Sequence, residues 1–153
     1  MDNTPLTYYT TAFQSLNQGN TDYGPAPHKP ILLLSIIDQL EQQTIITERV
    51  LTDEQLKAQF QKNWTLLVDT GHRCDINNPL YHLQKEGFWR AVKTDGEPLD
   101  QARGISKVAY GVLDTALVEL LTSAECRAVL RMVILDRYFE TTQNNYLAEN
   151  PYP

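Results

Sequence analysis

The 153-residue sequence has few cysteines and little positive charge. It contains 2 Cys, Cys74 and Cys126, and 13 Lys and Arg against 19 Asp and Glu, so its formal net charge is -6. Two cysteines far apart in the chain are typical of reduced thiols rather than of a disulfide framework. The net acidic charge argues against a general polyanion binder, because non-specific nucleic-acid affinity depends on neutralising phosphates.

Long apolar runs and the common catalytic motifs are also absent. No run of 18 apolar residues could span a bilayer, and the start "MDNTPLTYY" has no basic segment before an apolar core. We therefore expect a cytoplasmic protein with no membrane contact. The sequence has no Gly-rich phosphate loop, no GxSxG elbow and no pair of metal ligands on a helix. We expect no cofactor, no metal and no catalysis within this chain.

The charge is distributed unevenly along the chain. Residues 1–70 carry 4 basic and 8 acidic side chains, residues 71–110 carry 6 and 5, and residues 111–153 carry 3 and 6. Residues 71–110 are thus the least acidic part, and they also contain His72 and His82. A local basic patch there is compatible with contacts to an anion.

Hydrophobic spacing predicts a single α+β domain that is mainly helical, with a small antiparallel sheet. The order helix, helix, strand, helix, strand pair resembles a winged helix with extensions. We predict a domain over residues 1–140, followed by a polar linker over 141–153 toward a possible further domain. The predicted elements are a helix from Thr4, a buried helix through "ILLLSIIDQL", a strand in "TIITERVLT", a helix capped by Thr52, a short helix from Pro79 to Gly87, strands in "FWRAVK" and "SKVAYGVL", and two final helices, "TALVELLTS" and a longer one from Ala124.

The stretch "PAPHKPILLL" places His28 and Lys29 between prolines at the start of the buried helix. Proline restricts the backbone, so this positive pair loses little conformational freedom on binding. A helix N-terminus also attracts anions. The alternative is that His28 only caps the helix and Lys29 is solvated.

Two further stretches suggest binding chemistry. "NPLYHLQKEGFW" places Asn78, Pro79, Tyr81 and His82 on one compact turn, where a small apolar surface lies beside hydrogen-bonding groups. In "ARGIS", Arg103 precedes Gly104, which suits a phosphate or a guanine edge. The alternatives are core packing for the first stretch and a solvated loop arginine for the second.

In this order, the three stretches resemble the DNA sulfur-binding domain of type IV restriction endonucleases that cut near phosphorothioate-modified DNA. The family pattern has "APHKP" before a Leu-rich helix, a "YPF..L..dG.W" turn, an "ARGG" loop and a closing "L......R..L...L...YF" run. The corresponding segments here are "APHKPILLL", "NPLYHLQKEGFW", "QARGIS" and "LLTSAECRAVLRMVILDRYF". The resemblance spans Pro25 to Phe139.

The resemblance implies a module that binds double-stranded DNA in which sulfur replaces a non-bridging phosphate oxygen, within a short base sequence. It implies a sulfur pocket around Pro79, with Asn78, Tyr81 and His82 as neighbours. Asn78 stands where the family has Tyr, and Ile105 replaces the second Gly of the loop. An HNH nuclease domain, which the family's restriction enzymes carry, would lie in a further C-terminal segment or a partner. The expected DNA-contacting residues are His28, Lys29, His72, Arg73, Asn77, Asn78, Arg103, Gly104 and Ser106.

Two other functions stay open on sequence grounds. One is a winged-helix protein-interaction or regulatory module without modification specificity. The other assigns nuclease chemistry to His72, Asp75 and His82 with a metal, although their spacing matches no established zinc pattern.

Overall fold

The computed structural model describes residues 4–100 and 108–150. Within these ranges the chain forms seven α-helices, and a 3-10 turn over Leu83–Glu86 continues the fourth. Gly87 ends that turn with φ of 93°, as predicted from a closing glycine. The helices are Thr4–Gln14 (α1), His28–Glu41 (α2), Glu54–Leu67 (α3), Asn77–His82 (α4), Thr115–Leu121 (α5), Ala124–Tyr138 (α6) and Gln143–Glu149 (α7).

Five short strands form two antiparallel sheets in the described ranges. The first pair is a small hairpin, and the other three form a sheet in the order β3, β5, β4. A sheet with its last strand in the middle, together with the order α2, β3, α3, α4, β4, β5, is a winged-helix arrangement. The predicted α+β class is therefore confirmed. The strands are Asn20–Thr21 (β1), Gly24–Pro25 (β2), Arg49–Leu51 (β3), Trp89–Lys93 (β4) and Val108–Leu113 (β5).

The second helix lies at the centre of the domain because its side chains are apolar almost all round. It packs against α3, α4 and α6. Burial of each Leu or Ile contributes roughly 1.5–3 kcal/mol, so this helix organises the core. Its apolar residues that are at most 1% exposed are Ile31, Leu32, Leu33, Leu34, Ile36, Ile37 and Leu40.

A buried polar cluster interrupts this apolar core. Asp38 on α2 is 5% exposed and Arg131 on α6 is 2% exposed, and Arg131 Nη2 lies 3.0 Å from Asp38 Oδ1. Tyr146 donates its hydroxyl to the same carboxylate oxygen at 2.6 Å, and Asn63 Nδ2 donates to the other oxygen at 3.0 Å. The cluster therefore joins α2, α3, α6 and α7 through one carboxylate.

The start of α3 differs from the prediction by one residue. Asp53, not Thr52, is the N-cap, and its carboxylate accepts the backbone N–H of Leu56 at 3.0 Å. The Thr52 hydroxyl donates instead to the carbonyl of Val108 at 2.8 Å. Thr52 thus links the start of α3 to the sheet. Its hydroxyl is directed toward β5, so it does not cap the helix.

The C-terminal segment also differs from the prediction. Residues 143–149, expected to belong to a polar linker, form α7, and Tyr146 is fully buried. Besides Tyr146, the helix is held by Thr142 and Asn145, which donate to the carbonyls of Leu67 at 2.8 Å and Leu66 at 3.1 Å. These contacts do not form a repeating apolar face, which explains why the spacing gave no signal. A packed helix thus replaces most of the predicted linker.

We expect Arg131→Met to lower the free energy of unfolding by about 3–5 kcal/mol, because it leaves the buried charge of Asp38 without its cation. Urea denaturation followed by circular dichroism measures this change. Lys57→Ala is the matched control, because Lys57 pairs with Glu54 on the exposed surface of α3 and should cost less than about 1 kcal/mol. A loss for Arg131→Met as small as that of the control would contradict the interpretation.

Candidate nucleic-acid interface

A cleft of about 360 Å³ opens where the N-terminus of α2, the β1–β2 hairpin and the α4 turn meet. The first two residues of α2, His28 and Lys29, line this cleft, so the positive end of the helix dipole lies at it, and no side chain in the described part of the chain caps the helix there. Four of the residues predicted from sequence as binding residues lie together here. The lining residues are Asn17, Gln18, Gly19, Thr21, Ala26, His28, Lys29, Asn78, His82 and Lys85.

His28 lines the cleft as a fixed, neutral ring. Its Nε2 donates to the carbonyl of Arg73 at 2.8 Å, and the ring packs against Trp64 with 4.7 Å between centroids. Nδ1 is buried and has no hydrogen-bond partner among the described residues. Burial lowers the pKa of His28, and the neighbouring His72 lowers it further, although the Arg73 carbonyl and Asp75 act in the opposite direction. A neutral imidazole results at neutral pH.

Lys29 lines the same cleft but is already paired. Its Nζ lies 2.6 Å from Glu86 Oε2, and the two side chains are 10% and 12% exposed. The same carboxylate oxygen accepts the backbone N–H of Asn17 at 3.2 Å. The expectation that His28 and Lys29 present two positive charges is therefore wrong, because the first is neutral and the second is compensated.

The turn formed by α4 contributes fewer cleft residues than predicted. Asn78 is exposed and lines the cleft together with His82. Burial lowers the pKa of His82, and the positive charges of Lys85 and Lys29 lower it further. Pro79 is buried beneath this surface, and neither it nor Tyr81 is part of the lining. In this cleft the neighbours of Asn78 are His28 and His82, and the sulfur pocket around Pro79 and Tyr81 stays a prediction.

His72 anchors the hairpin rather than lining the cleft. Its Nε2 lies 2.7 Å from Thr21 Oγ1 and 3.2 Å from the carbonyl oxygen of Gly24, and its Nδ1 contacts Thr70 Oγ1. The Tyr23 ring packs edge-on against His72 with 5.6 Å between centroids. The hairpin wall of the cleft is thereby fixed to the segment after α3.

The same contacts argue against the hypothesis that His72, Asp75 and His82 form a metal-dependent nuclease site. Both ring nitrogens of His72 are engaged by protein groups, so this side chain has no free nitrogen for a metal. Within residues 4–100 and 108–150, no three His, Cys, Asp or Glu side chains are grouped so that they could hold a metal ion. None of the helices in these ranges is both long and apolar enough to cross a bilayer.

The remaining predicted DNA-contacting residues lie outside the cleft or outside the described ranges. Arg73 is exposed, and its backbone carbonyl accepts the hydrogen bond that holds the His28 ring. The backbone N–H of Asn77 donates to Asp75 Oδ1 at 3.0 Å, which holds the start of α4. Three residues of the predicted "ARGIS" loop site lie in the undescribed range 101–107: Arg103, Gly104 and Ser106.

Sequence reasoning missed Lys85 and the segment after α1. Lys85 is exposed on the cleft rim, and no ion pair joins it to another described residue. Its position three residues after His82 could have suggested a shared face of the turn. Nothing in the local pattern of Asn17, Gln18 and Gly19 indicated a cleft, since these residues reach it only through the tertiary fold.

Gln84 connects the cleft turn to the sheet. Its side-chain Nε2 donates to the carbonyls of Tyr81 at 3.1 Å and Leu99 at 2.9 Å, and its Oε1 accepts the backbone N–H of Ala91 at 3.0 Å. Trp89 adds a second link, because its indole Nε1 donates to the carbonyl of Leu80 at 3.0 Å. The turn and the sheet therefore form one rigid unit.

Several solved structures are similar to this chain in fold. The chain is similar to the sulfur-binding domain of SprMcrA complexed with phosphorothioated DNA, with 20% identity, a TM-score of 0.66 and coverage of 94% of this chain and 95% of that chain. The corresponding domain of ScoMcrA, also complexed with phosphorothioated DNA, is 18% identical with a TM-score of 0.60, and the match covers 92% of this chain and 96% of that chain. The type IV phosphorothioation-dependent restriction endonuclease ScoMcrA gives 18% and 0.58, and the match covers 92% of this chain but 32% of that chain. No curated protein matches this chain.

These likenesses place the fold among the sulfur-binding domains. The model of one family, described as ScoMcrA-like, DNA sulfur-binding domain, matches residues 8–150. The chain belongs to this family, and the resemblance seen in its sequence is confirmed. The match continues through α7, which agrees with the packing of Tyr146 into the core.

We expect the domain to lose stability on acidification, partly through His28. The pKa of His28 in the folded protein is lower than its ordinary value of 6.5, so the unfolded chain takes up a proton first as the pH falls through 6.5. The contribution of His28 is complete above that pH and is lost below it. Unfolding free energies between pH 7.5 and 5 should fall less steeply for His28→Gln, whose amide retains a donor for the Arg73 carbonyl. An identical slope in both proteins would argue against a neutral, half-buried His28.

Proposed function

We propose that this chain binds double-stranded DNA in which sulfur replaces a non-bridging phosphate oxygen, with a dependence on the surrounding bases. It would act as the recognition module of a type IV restriction system. The observation that carries the proposal is the cleft at the N-terminus of α2, whose walls combine neutral imidazoles, a compensated lysine and the uncapped end of a helix. The solved relatives named above are complexes with phosphorothioated DNA.

The chemistry of the cleft suits sulfur better than oxygen. Sulfur is larger, more polarisable and less strongly hydrated, so it gains dispersion contacts and loses less water on entry. His28 and His82 line the cleft with uncharged rings. Contacts with these rings compensate a phosphate oxygen poorly for the water that it loses on entry. The volume of about 360 Å³ also has room for more than the sulfur atom, so a backbone phosphorothioate with part of its sugar can enter.

The net acidic charge supports the same function. A chain with a net charge of -6 neutralises few phosphates overall, so its affinity for unmodified DNA should be low. Specificity is the difference between the affinities for modified and unmodified DNA. When non-specific electrostatic binding is weak, the modified linkage contributes a larger fraction of the total binding free energy. Lys85 at the rim, with Arg73 and Arg103 as further candidates, would supply the local phosphate and base contacts.

Cleavage is proposed to come from another domain. The chain corresponds to about a third of the full-length endonuclease ScoMcrA, which leaves room for further domains in proteins of that kind. We therefore assign recognition to this chain and place HNH nuclease chemistry, where present, in a C-terminal segment or a partner.

Titration against paired short duplexes tests the function directly. The duplexes differ only in one phosphorothioate of defined stereochemistry, over several core sequences and at moderate salt. We expect one modified duplex to bind at least about tenfold more tightly than its unmodified partner, which corresponds to about 1.4 kcal/mol. Equal or absent binding over the whole panel would instead favour a winged-helix regulatory module.

We expect Lys85→Ala to weaken binding of modified and unmodified duplexes by the same factor, because its ammonium contacts phosphate without reading sulfur. The slope of log affinity against log salt should fall in magnitude by about 1. Fluorescence anisotropy at several salt concentrations measures both quantities. Lys57→Ala removes a lysine on the surface of α3 and should leave the slope unchanged. If Lys85→Ala behaves like this control, the rim lysine does not contact DNA.

A further inference from the structure

We propose that Glu86 determines selectivity between sulfur and oxygen by holding the Lys29 ammonium in an ion pair, where it is withheld from a phosphate oxygen. The inference rests on the proposed function and assigns its specificity to a residue outside the cleft lining. Glu86 does not line the cleft itself, but it contacts Lys29 and Asn17, which both do.

The geometry makes this pair tighter than the other lysine pairs described. Lys29 Nζ and Glu86 Oε2 are 2.6 Å apart with both side chains nearly buried, whereas Lys57 and Glu54 are 3.5 Å apart with side chains 46% and 93% exposed. A short, shielded pair is screened little by salt and water. The backbone N–H of Asn17 also holds the carboxylate at 3.2 Å, so Glu86 is fixed from two sides.

The remaining walls give Lys29 its importance. His28 and His82 are neutral, for the reasons given above, and Lys85 lies on the exposed rim. Lys29 is therefore the one buried cation among the described lining residues. Whether its ammonium is free or paired decides how strongly the inner cleft attracts a hard anionic oxygen.

A free ammonium would favour the wrong ligand. Hydrogen bonds from a cation to an anionic oxygen are short and strong, while sulfur is a weaker acceptor that gains mainly from dispersion. Pairing with Glu86 removes this extra affinity for oxygen and leaves the dispersion contacts that favour sulfur. Disfavouring the unmodified linkage in this way is specificity obtained at some cost in affinity.

The test is Glu86→Gln, titrated with the modified and the unmodified duplex of the same sequence. The amide retains an oxygen for the Asn17 N–H but loses the charge that holds Lys29. We expect affinity for the unmodified duplex to rise about tenfold, as for one hydrogen bond to a charged group, and affinity for the modified duplex to rise less. The sulfur preference of the variant should fall accordingly.

Two comparisons separate this mechanism from a simple loss of negative charge. Glu54→Gln removes one carboxylate from the exposed Lys–Glu pair on α3 and should leave both affinities and their ratio unchanged. Glu86→Gln in a Lys29→Met background should no longer raise affinity for unmodified DNA, because the released ammonium is absent. Glu86→Asp keeps the charge at a longer reach and should move the ratio in the same direction by a smaller factor, which provides a test if the Gln variant does not fold.

The outcomes distinguish this inference from the proposed function. A wild-type domain with no preference for the modified duplex overturns both. A wild-type preference that stays unchanged in whichever Glu86 variant folds overturns the role of Glu86 alone. A rise that persists in the Lys29→Met background shows general repulsion of DNA by the carboxylate, and that result also overturns the mechanism.

Discussion

The carboxylate of Asp38 must be compensated inside the core, and this requirement organises the domain. One oxygen binds Arg131 and Tyr146, and the other accepts from Asn63, so three surrounding helices are positioned by a single group on α2. Such a cluster contributes little net stability compared with an apolar substitute, but it penalises any other arrangement of the helices. Ten residues separate Asp38 from His28, which corresponds to about 15 Å along the helix axis. The cluster therefore fixes α2 near its C-terminus, while the contacts of His28 and Lys29 fix the end that forms the cleft.

At the cleft, the same principle of compensation has a different result. The core cluster uses paired charges to fix helices, whereas the pair of Lys29 and Glu86 lowers the effective charge of a binding surface. With His28 and His82 kept neutral by burial, the inner wall is polar in composition but weakly charged. A surface of this kind rewards shape and polarisability more than charge. This explains how an acidic chain can belong to a family that binds DNA.

Local patterns predicted much of the fold, but long-range partners were beyond them. The apolar run from Ile31 to Leu40 indicated a buried central helix, and the structure has it. The segment around Tyr146 gave no helical signal because α7 is held by scattered tertiary contacts, such as those of Tyr146 and Asn145, rather than by a repeating apolar face. The state of Lys29 depends on Glu86, 57 residues away, so sequence reasoning treated it as a free cation. Pro79 was correctly placed on the turn, but its depth depended on how that turn packs, and it lies beneath the surface.

The side-chain amide of Gln84 has a consequence for how bases and backbone are read together. It binds the cleft turn at Tyr81 and the chain at Leu99, from which the segment containing Arg103 continues. A domain that contacts a phosphorothioate at one point and bases at another needs a constant distance between the two contact sites. Because one amide binds both backbone segments, a substitution at Gln84 would release the turn at Tyr81 and the chain at Leu99 together. Under the proposed function, such a substitution would affect base preference and sulfur recognition together.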